Sequence, residues 1–346
     1  MPPEKKGGPV DITSLVEGGV KDGLFTDFDV CVRGDGVNLS FSGGEHIRAG
    51  ARLFDVASIT KACTSLMTVK EFAAGRLSPE DSFGRFIPVQ EHVGDDRKLR
   101  HFLSYTVQNY AFDYGSIRNG SERNFKEVLV SEGFGRWNKM FRYDNVASAY
   151  VGMLLENLYG AGLETVLREG LLVKPTSSDR FLFHPVRRGL VPPEFVVPTR
   201  ANQSLRGRVH DPASFSHEDT SLSVAGLFSD AATLADIFHR GIDEVIASGF
   251  YPEVATNQLT RLELKGNPYG LGFDIPLSTR FSGLSVKRPL IFSGHTGCRI
   301  FFAEKPRITV VLLTNQVLCL QNGLKQPELF KAFCWRVIND ALRCVV

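Results

Sequence analysis

Absences narrow the chemistry before any motif does. None of the eight histidines falls in a His-Glu-x-x-His or comparable ligand spacing, and the six cysteines (Cys31, Cys63, Cys298, Cys319, Cys334 and Cys344) form no Cys-x-x-Cys pair. Neither a metal centre nor a disulfide framework is expected, and no cofactor is implied. There is no Gly-x-x-x-x-Gly-Lys loop to cradle phosphate and no Gly-x-Ser-x-Gly elbow. Charge of one sign is also missing: 40 Lys and Arg against 38 Asp and Glu leave a net +2, with no arginine-rich or aromatic-interleaved basic run. That argues against nucleic acid and for a small-molecule or peptide substrate. No apolar stretch approaches the roughly 20 residues a membrane helix needs, so no membrane span is expected. The opening Met1-Pro2-Pro3-Glu4-Lys5-Lys6-Gly7-Gly8 lacks the apolar core of a signal peptide. The compartment stays open between the cytoplasm and, for a chain whose leader has been removed, the periplasm or exterior.

What is present suffices for a large core. At 346 residues with 43% hydrophobic content, the chain exceeds the usual ceiling for one core, so two intimately packed subdomains are expected. Phe28 to Val32 and Val37 to Phe41 read as two strands joined by Arg33-Gly34-Asp35-Gly36. The Arg-Gly-Asp tripeptide there is explained by the turn, which wants Gly and Asp for backbone reasons. Ala62 to Ala74 reads as an amphipathic helix with Leu66, Met67, Val69, Phe72 and Ala73 as its apolar positions and Gly75 as its stop. Val146 to Leu158 is helix-like. Pro289–Phe292, Ile300–Ala303 and Thr309–Thr314 read as strands. Pro327 to Leu342 reads as a helix with Leu329, Phe330, Phe333, Val337, Ile338 and Ala341 at helical spacing.

Ser58 and Lys61 occur in Leu53-Phe54-Asp55-Val56-Ala57-Ser58-Ile59-Thr60-Lys61. Three residues apart on a helix, the two groups share a face. An amine in a partly desolvated pocket can act as base toward the hydroxyl, and a serine at a helix N-terminus lies where backbone N–H groups meet a developing oxyanion. Two later segments belong with this pair. Phe141-Arg142-Tyr143-Asp144-Asn145 places Tyr143 and Asn145 on a loop ahead of a helix. Gly294-His295-Thr296-Gly297 lies between two strand-like runs, where a Gly-flanked polar triplet on a strand edge would let an extended substrate approach the backbone.

With these three motifs in this order, the chain resembles the serine β-lactamase and penicillin-binding protein superfamily, in the branch of class C β-lactamases, DD-peptidases and related esterases. The resemblance runs from about Asp27 to the C-terminus. Further landmarks are Gly75-Arg76-Leu77-Ser78-Pro79-Glu80-Asp81 through Phe86-Ile87-Pro88, then Pro198-Thr199, Arg206-Gly207-Arg208-Val209-His210-Asp211-Pro212 and Ala225-Gly226-Leu227-Phe228-Ser229. It implies an α+β fold, an antiparallel sheet flanked by helices, with residues 10–75 and 216–346 forming the sheet domain and 76–215 a mainly helical insertion. It also implies a serine hydrolase acting through an acyl-enzyme on an amide or ester, DD-carboxypeptidase-like or esterase-like, with β-lactams or cell-wall peptides among the candidate ligands. Ser58 would be the nucleophile, Lys61 and Tyr143 would share the acid and base work, and the N–H groups of Ser58 and Cys298 would hold the oxyanion. Asn145, His295, Thr296, Gly297, Cys298 and Arg299 would bind substrate.

Residue by residue, plainer roles stand beside these: Tyr143 a core aromatic, Asn145 a helix N-cap, His295 a satisfied strand histidine, His210-Asp211 a structural turn. The sequence also departs from the family pattern. His295 replaces a permanently charged lysine, which shifts the expectation from β-lactamase toward peptidase or esterase, with Arg299 as a candidate replacement anchor for a carboxylate. Cys298-Arg299-Ile300 lacks the glycine that follows the triplet in many relatives, and the span to Thr314 is a few residues short. Leu103-Ser104-Tyr105-Thr106-Val107-Gln108 and Ser223-Val224-Ala225-Gly226 stand where relatives show His-Thr-Ser-Gly and Gly-His-Ala-Gly. Such changes keep a second class of function open, a non-catalytic binding or scaffold protein on the same fold.

Overall fold

The first two strands form a hairpin closed by a two-residue loop: β1 (Asp27–Gly34) and β2 (Val37–Gly44) pair with Gly34 opposite Val37. The loop is Asp35-Gly36, and Gly36 takes the positive φ of +74° that such tight connections require. The computed structural model describes residues 11–87, 97–107, 125–132, 140–172, 179–218, 220–281, 283–323 and 327–345. Pro88 and Gln108, named among the landmarks, lie outside the described residues.

β6 (Leu290–Ser293), β7 (Arg299–Ala303) and β8 (Ile308–Thr314) complete a five-stranded sheet in the order β2-β1-β8-β7-β6, antiparallel throughout. β8 is buried on both faces, and its alternation divides the core. Ile308, Val310 and Leu312 pack with Val30, Val32 and the helices α1 (Ile12–Lys21) and α6 (Pro327–Arg343). Val311 and Leu313 belong to the larger core on the other side, with α2 (Ile59–Ala73) and α5 (Ala231–Ala247). On α6 the expected face is buried except at Leu329, which is exposed.

α2 departs from the amphipathic helix expected of it. Every residue but Lys70 and Ala73 is buried, including Lys61, Glu71 and three threonines. The reason is its position, with α5 on one side and α3 (Asn145–Tyr159) and α4 (Leu163–Leu171) on another. Burial of Thr60, Thr64 and Thr68 is tolerable because each hydroxyl donates to a carbonyl one turn back, those of Ala57, Thr60 and Thr64. A second, small sheet of β3 (Phe54–Asp55), β5 (Leu227–Ser229) and β4 (Phe181–Phe183), with β5 central, joins the start of α2 to chain from the middle of the sequence. All six cysteines are free, and Cys344 alone is exposed. Among the described residues, no helix is long and apolar enough to cross a membrane and no metal-holding group of His, Cys, Asp or Glu occurs.

Candidate active site

β3 delivers the chain to α2 through a sharp corner. Ala57 sits at φ +48°, a left-handed conformation that costs a non-glycine residue about 1–2 kcal/mol. Asp55 holds the corner: Oδ1 accepts the Ala57 N–H at 2.9 Å, and Oδ2 accepts the His210 N–H at 2.7 Å. Burial of Asp55 outweighs those two bonds and pushes its carboxyl up to about 6, with Asp211 adding to the rise and Arg200 opposing it. Ser58 follows the corner, half-buried, at the N-terminus of α2.

Lys61, one turn on, is fully buried, and its Nζ donates to Ser58 Oγ at 3.1 Å and to the Val224 carbonyl at 2.7 Å. The expected pair is therefore brought together. The second partner of the amine, Val224, was visible beforehand only as a departure in Ser223-Val224-Ala225-Gly226. Gly226 explains the local geometry: at φ +104° its Hα side faces the His184 ring, which a Cβ would meet at 2.6 Å. Tyr143 meets the amine through its ring, with Nζ 5.5 Å from the centroid. Its hydroxyl makes no hydrogen bond among the described residues, and the side chain is 44% exposed. Asn145 is the first residue of α3 and not its cap; the cap is Asp144, whose carboxylate accepts the Ala147 N–H at 2.8 Å.

The triplet lies elsewhere than expected. It is no strand edge but the turn of the β6–β7 hairpin, closed by Gly294 N–H to Cys298 C=O at 2.8 Å and Gly297 N–H to Gly294 C=O at 3.1 Å. Pairing of Ser293 with Arg299 leaves only five residues to reverse the chain. Gly297, at φ +109°, has its Cβ position filled by the Thr314 hydroxyl and Gln316. Thr296 turns inward: it is fully buried and its hydroxyl donates to the Asp55 carbonyl at 2.8 Å, which removes it from substrate contact. The Cys298 thiol is also buried, against the carbonyls of Asp55 and Thr314, and burial pushes it up to about 11. Burial therefore disfavours a thiolate there. Arg299 does not stand free as an anchor, since Nη1 donates to the carbonyls of Gly294 (3.2 Å) and Cys298 (2.7 Å) and the guanidinium lies 5.6 Å over Phe330. His295 is exposed at the turn, its ring centroid 5.4 Å from that of His210. Burial, Arg200 and His295 together push His210 down to about 4, so it is neutral and accepts from the Gln321 amide at 3.0 Å. Asp211 caps the short helix Pro212–Ser216.

A groove of about 800 Å³ opens from Ser58 past Tyr143, Phe292 and His295, and runs around β6 toward α6. Along it the outer edge of β6 is partly paired, because Asp274 exchanges both backbone hydrogen bonds with Ile291 at 3.1 and 3.0 Å. By strand alternation Ser293 presents its N–H and C=O on that same side, at the end nearest Ser58. Asp55, Asp274 and the Tyr105–Tyr269 pair behind the groove were missed in the sequence. A signal existed only for Asp55, a carboxylate within the apolar run Leu53 to Ile59.

Comparison with known proteins agrees with this architecture. The model of the Beta-lactamase family matches residues 12–323. A "Putative D-alanyl-D-alanine carboxypeptidase" of Escherichia coli (strain K12) is 20% identical over 321 residues, covering 81% of this chain and 73% of that protein. An N-acetylmuramyl-L-alanine amidase of Bacillus subtilis (strain 168) is 24% identical over 238 residues, and the match spans 58% of this chain and 53% of the amidase. Among solved structures, simvastatin synthase (LovD) from Aspergillus terreus, as its LovD6 mutant, superposes with a TM-score of 0.68 at 16% identity, covering 99% of this chain and 100% of that one. EstCE1, a hydrolase with promiscuous acyltransferase activity, gives 0.62 at 15% identity over 95% and 97%. The octameric penicillin-binding protein homologue from Pyrococcus abyssi gives 0.66 at 16% identity over 94% and 76%. With the family model spanning nearly the whole chain and the fold shared with penicillin-binding-protein and esterase structures, this protein belongs to the beta-lactamase family.

Proposed function

We propose that the chain is a serine acyl hydrolase in which Ser58 attacks an ester or amide carbonyl and is transiently acylated. The observation that carries this reading is the 3.1 Å contact between Ser58 Oγ and a fully buried Lys61 amine. The Val224 carbonyl aims that amine at the hydroxyl. With Lys61 unprotonated the same contact reverses, Oγ–H donating to Nζ, and the proton moves to the amine as Oγ bonds to the carbonyl carbon. The proton then passes to the leaving group, which departs as alcohol or amine, and water reverses the sequence. The Ser58 N–H at the start of α2 and the Cys298 N–H beside the hairpin turn are the assigned oxyanion donors. Tyr143, its ring already on Lys61, is the group placed to pass a proton outward.

An ester is favoured over a peptide ending in a free carboxylate. His295 is not a fixed cation, and Arg299 is engaged by its own turn carbonyls. The test is intact-protein mass after incubation with a phosphonate ester probe and, separately, a labelled penicillin, with Ser58→Ala as control. A phosphonate adduct on the wild type that is lost in the variant is expected. No adduct from either probe on folded protein overturns the reading and favours a binding protein on this fold.

A further inference from the structure

Several charged side chains line the groove, with Glu328, Arg280 and Lys331 among them and Arg299 on β7, and Asp274 is the carboxylate whose backbone is fixed at the edge of β6. The two hydrogen bonds to Ile291 hold it there, and its side chain lines the same groove as Ser58. Among the described residues its carboxylate makes no hydrogen bond and no ion pair. The wall around it is aromatic. Tyr269 and Tyr105 stand edge to face at 5.4 Å, Tyr105 lies 4.8 Å from Tyr143, and Tyr143 lies 6.3 Å from Phe292, all as ring-centroid separations. The Tyr269 hydroxyl is fully buried beside that of Tyr105.

A carboxylate without an ion-pair partner beside aromatic rings has the two properties that select an organic ammonium group, a countercharge and π surfaces that attract a cation. It repels a substrate carboxylate, in keeping with an Arg299 that is turned to its own backbone. We infer that the groove recognises substrates bearing a protonated amine, with Asp274 as its partner and the Tyr143 and Tyr269 rings flanking it, and that Ser58 cleaves an ester or amide elsewhere in the same molecule. This inference rests on the acyl-hydrolase reading for the cleavage, but not for the binding.

The charged and titratable groups that Asp274 meets are Arg299 on β7, which favours its ionised form, and Tyr105 and Tyr269. Burial holds the Asp274 carboxyl up at about 6. Recognition of an ammonium should therefore be full above pH 7 and fade as pH falls through about 6, where the carboxylate takes up a proton.

The test compares p-nitrophenyl esters of ω-amino acids of two to six carbons with the esters of the matching alkanoic acids. The wild type should turn over at least one amino ester about ten- to hundred-fold better, in kcat/KM, than its uncharged counterpart. Asp274→Asn should collapse that ratio toward one, and Asp274→Glu should retain part of it. Independently of chemistry, calorimetry on Ser58→Ala with the corresponding amino amide and uncharged amide should show the same order of affinity at pH 7.5 and lose it at pH 5. A ratio near one in the wild type, a ratio unchanged in Asp274→Asn, or an equal fall for both substrate types in that variant each overturns the inference. Ser58-dependent turnover of the uncharged esters alongside such a result leaves the hydrolase reading standing. Absence of all turnover with intact ammonium-selective binding has the opposite meaning.

Discussion

Replacing Asp55 with asparagine should loosen the nucleophile while changing stability in a pH-dependent way. Asp55 clamps three segments at once: its two carboxylate oxygens take the N–H groups of Ala57 and His210, and its carbonyl takes the Thr296 hydroxyl. Asparagine has nearly the same shape but offers one acceptor and an NH2 group. Either Ala57 or His210 would then face a donor with a donor, leaving a buried N–H unsatisfied at a cost of about 1–3 kcal/mol. The strained φ of +48° at Ala57 would lose its tether, and Ser58 would be free to drift from Lys61.

The charge acts in the opposite direction. A carboxyl raised from 3.8 to about 6 binds its proton more tightly folded than unfolded. Its favourable contribution is complete below about pH 4 and is lost as pH rises through about 6, a total of roughly 3 kcal/mol. Asparagine does not titrate. Wild-type stability should therefore fall relative to Asp55→Asn by up to that amount between pH 4 and pH 7.5, which corresponds to about 4 °C in melting temperature for a chain of this length. Asp29 and Asp274 are likewise raised to about 6 by burial, but they titrate in both proteins and cancel in the difference. The assays are thermal unfolding at half-unit pH steps and ester hydrolysis at pH 7.5, where kcat of the variant should drop about ten- to hundred-fold. A melting-temperature difference flat across this range, together with a wild-type kcat, would refute the reasoning.

Two further perturbations address the other supports of the site. Lys61→Met should lower turnover by about 10²–10⁴-fold, the usual range for a positioned base, and slow phosphonate labelling of Ser58 in parallel; labelling at the wild-type rate would remove Lys61 from the chemistry. Gly226→Ala puts a Cβ at φ +104° and 2.6 Å from the His184 ring, so urea unfolding should show a loss of about 2–4 kcal/mol, and a loss below 0.5 kcal/mol would mean that the chain ahead of β5 accommodates it.

What the sequence disclosed follows the range of the forces involved. The β1–β2 hairpin, α2, α3 and α6 were legible because each rests on a local pattern: a Gly-rich turn cluster, of which only Asp35-Gly36 lies outside the strands, or apolar residues at helical spacing. Ser58 and Lys61 were legible for the same reason, being one helical turn apart. β3, β4 and β5 were not, since strands of two or three residues contain too little alternation to read. The burial of α2 on all sides was hidden as well. Thr60, Thr64 and Thr68 look polar in sequence, and only the carbonyls one turn back make them tolerable inside.

The placement of Thr296 shows why motif order alone could not assign substrate contacts. Order put His-Thr-Gly near Ser58, and the fold does bring it there, through the Thr296 hydroxyl on the Asp55 carbonyl 241 positions away. Yet the direction each side chain faces depends on whether the triplet runs along a strand or turns a corner. That is decided by the distance from Gly297 to the next paired residue. Here Arg299 already pairs with Ser293, so the chain must reverse within the triplet. Thr296 then points into the protein, Arg299 folds back over the turn, and His295 alone stays at the surface. With His295 at the turn in place of a fixed cation and Arg299 engaged by its own carbonyls, the carboxylate of Asp274 stands on the groove wall without an ion pair. The Ser58–Lys61 pair, one turn apart on α2, takes its geometry from that helix and not from the way this corner turns.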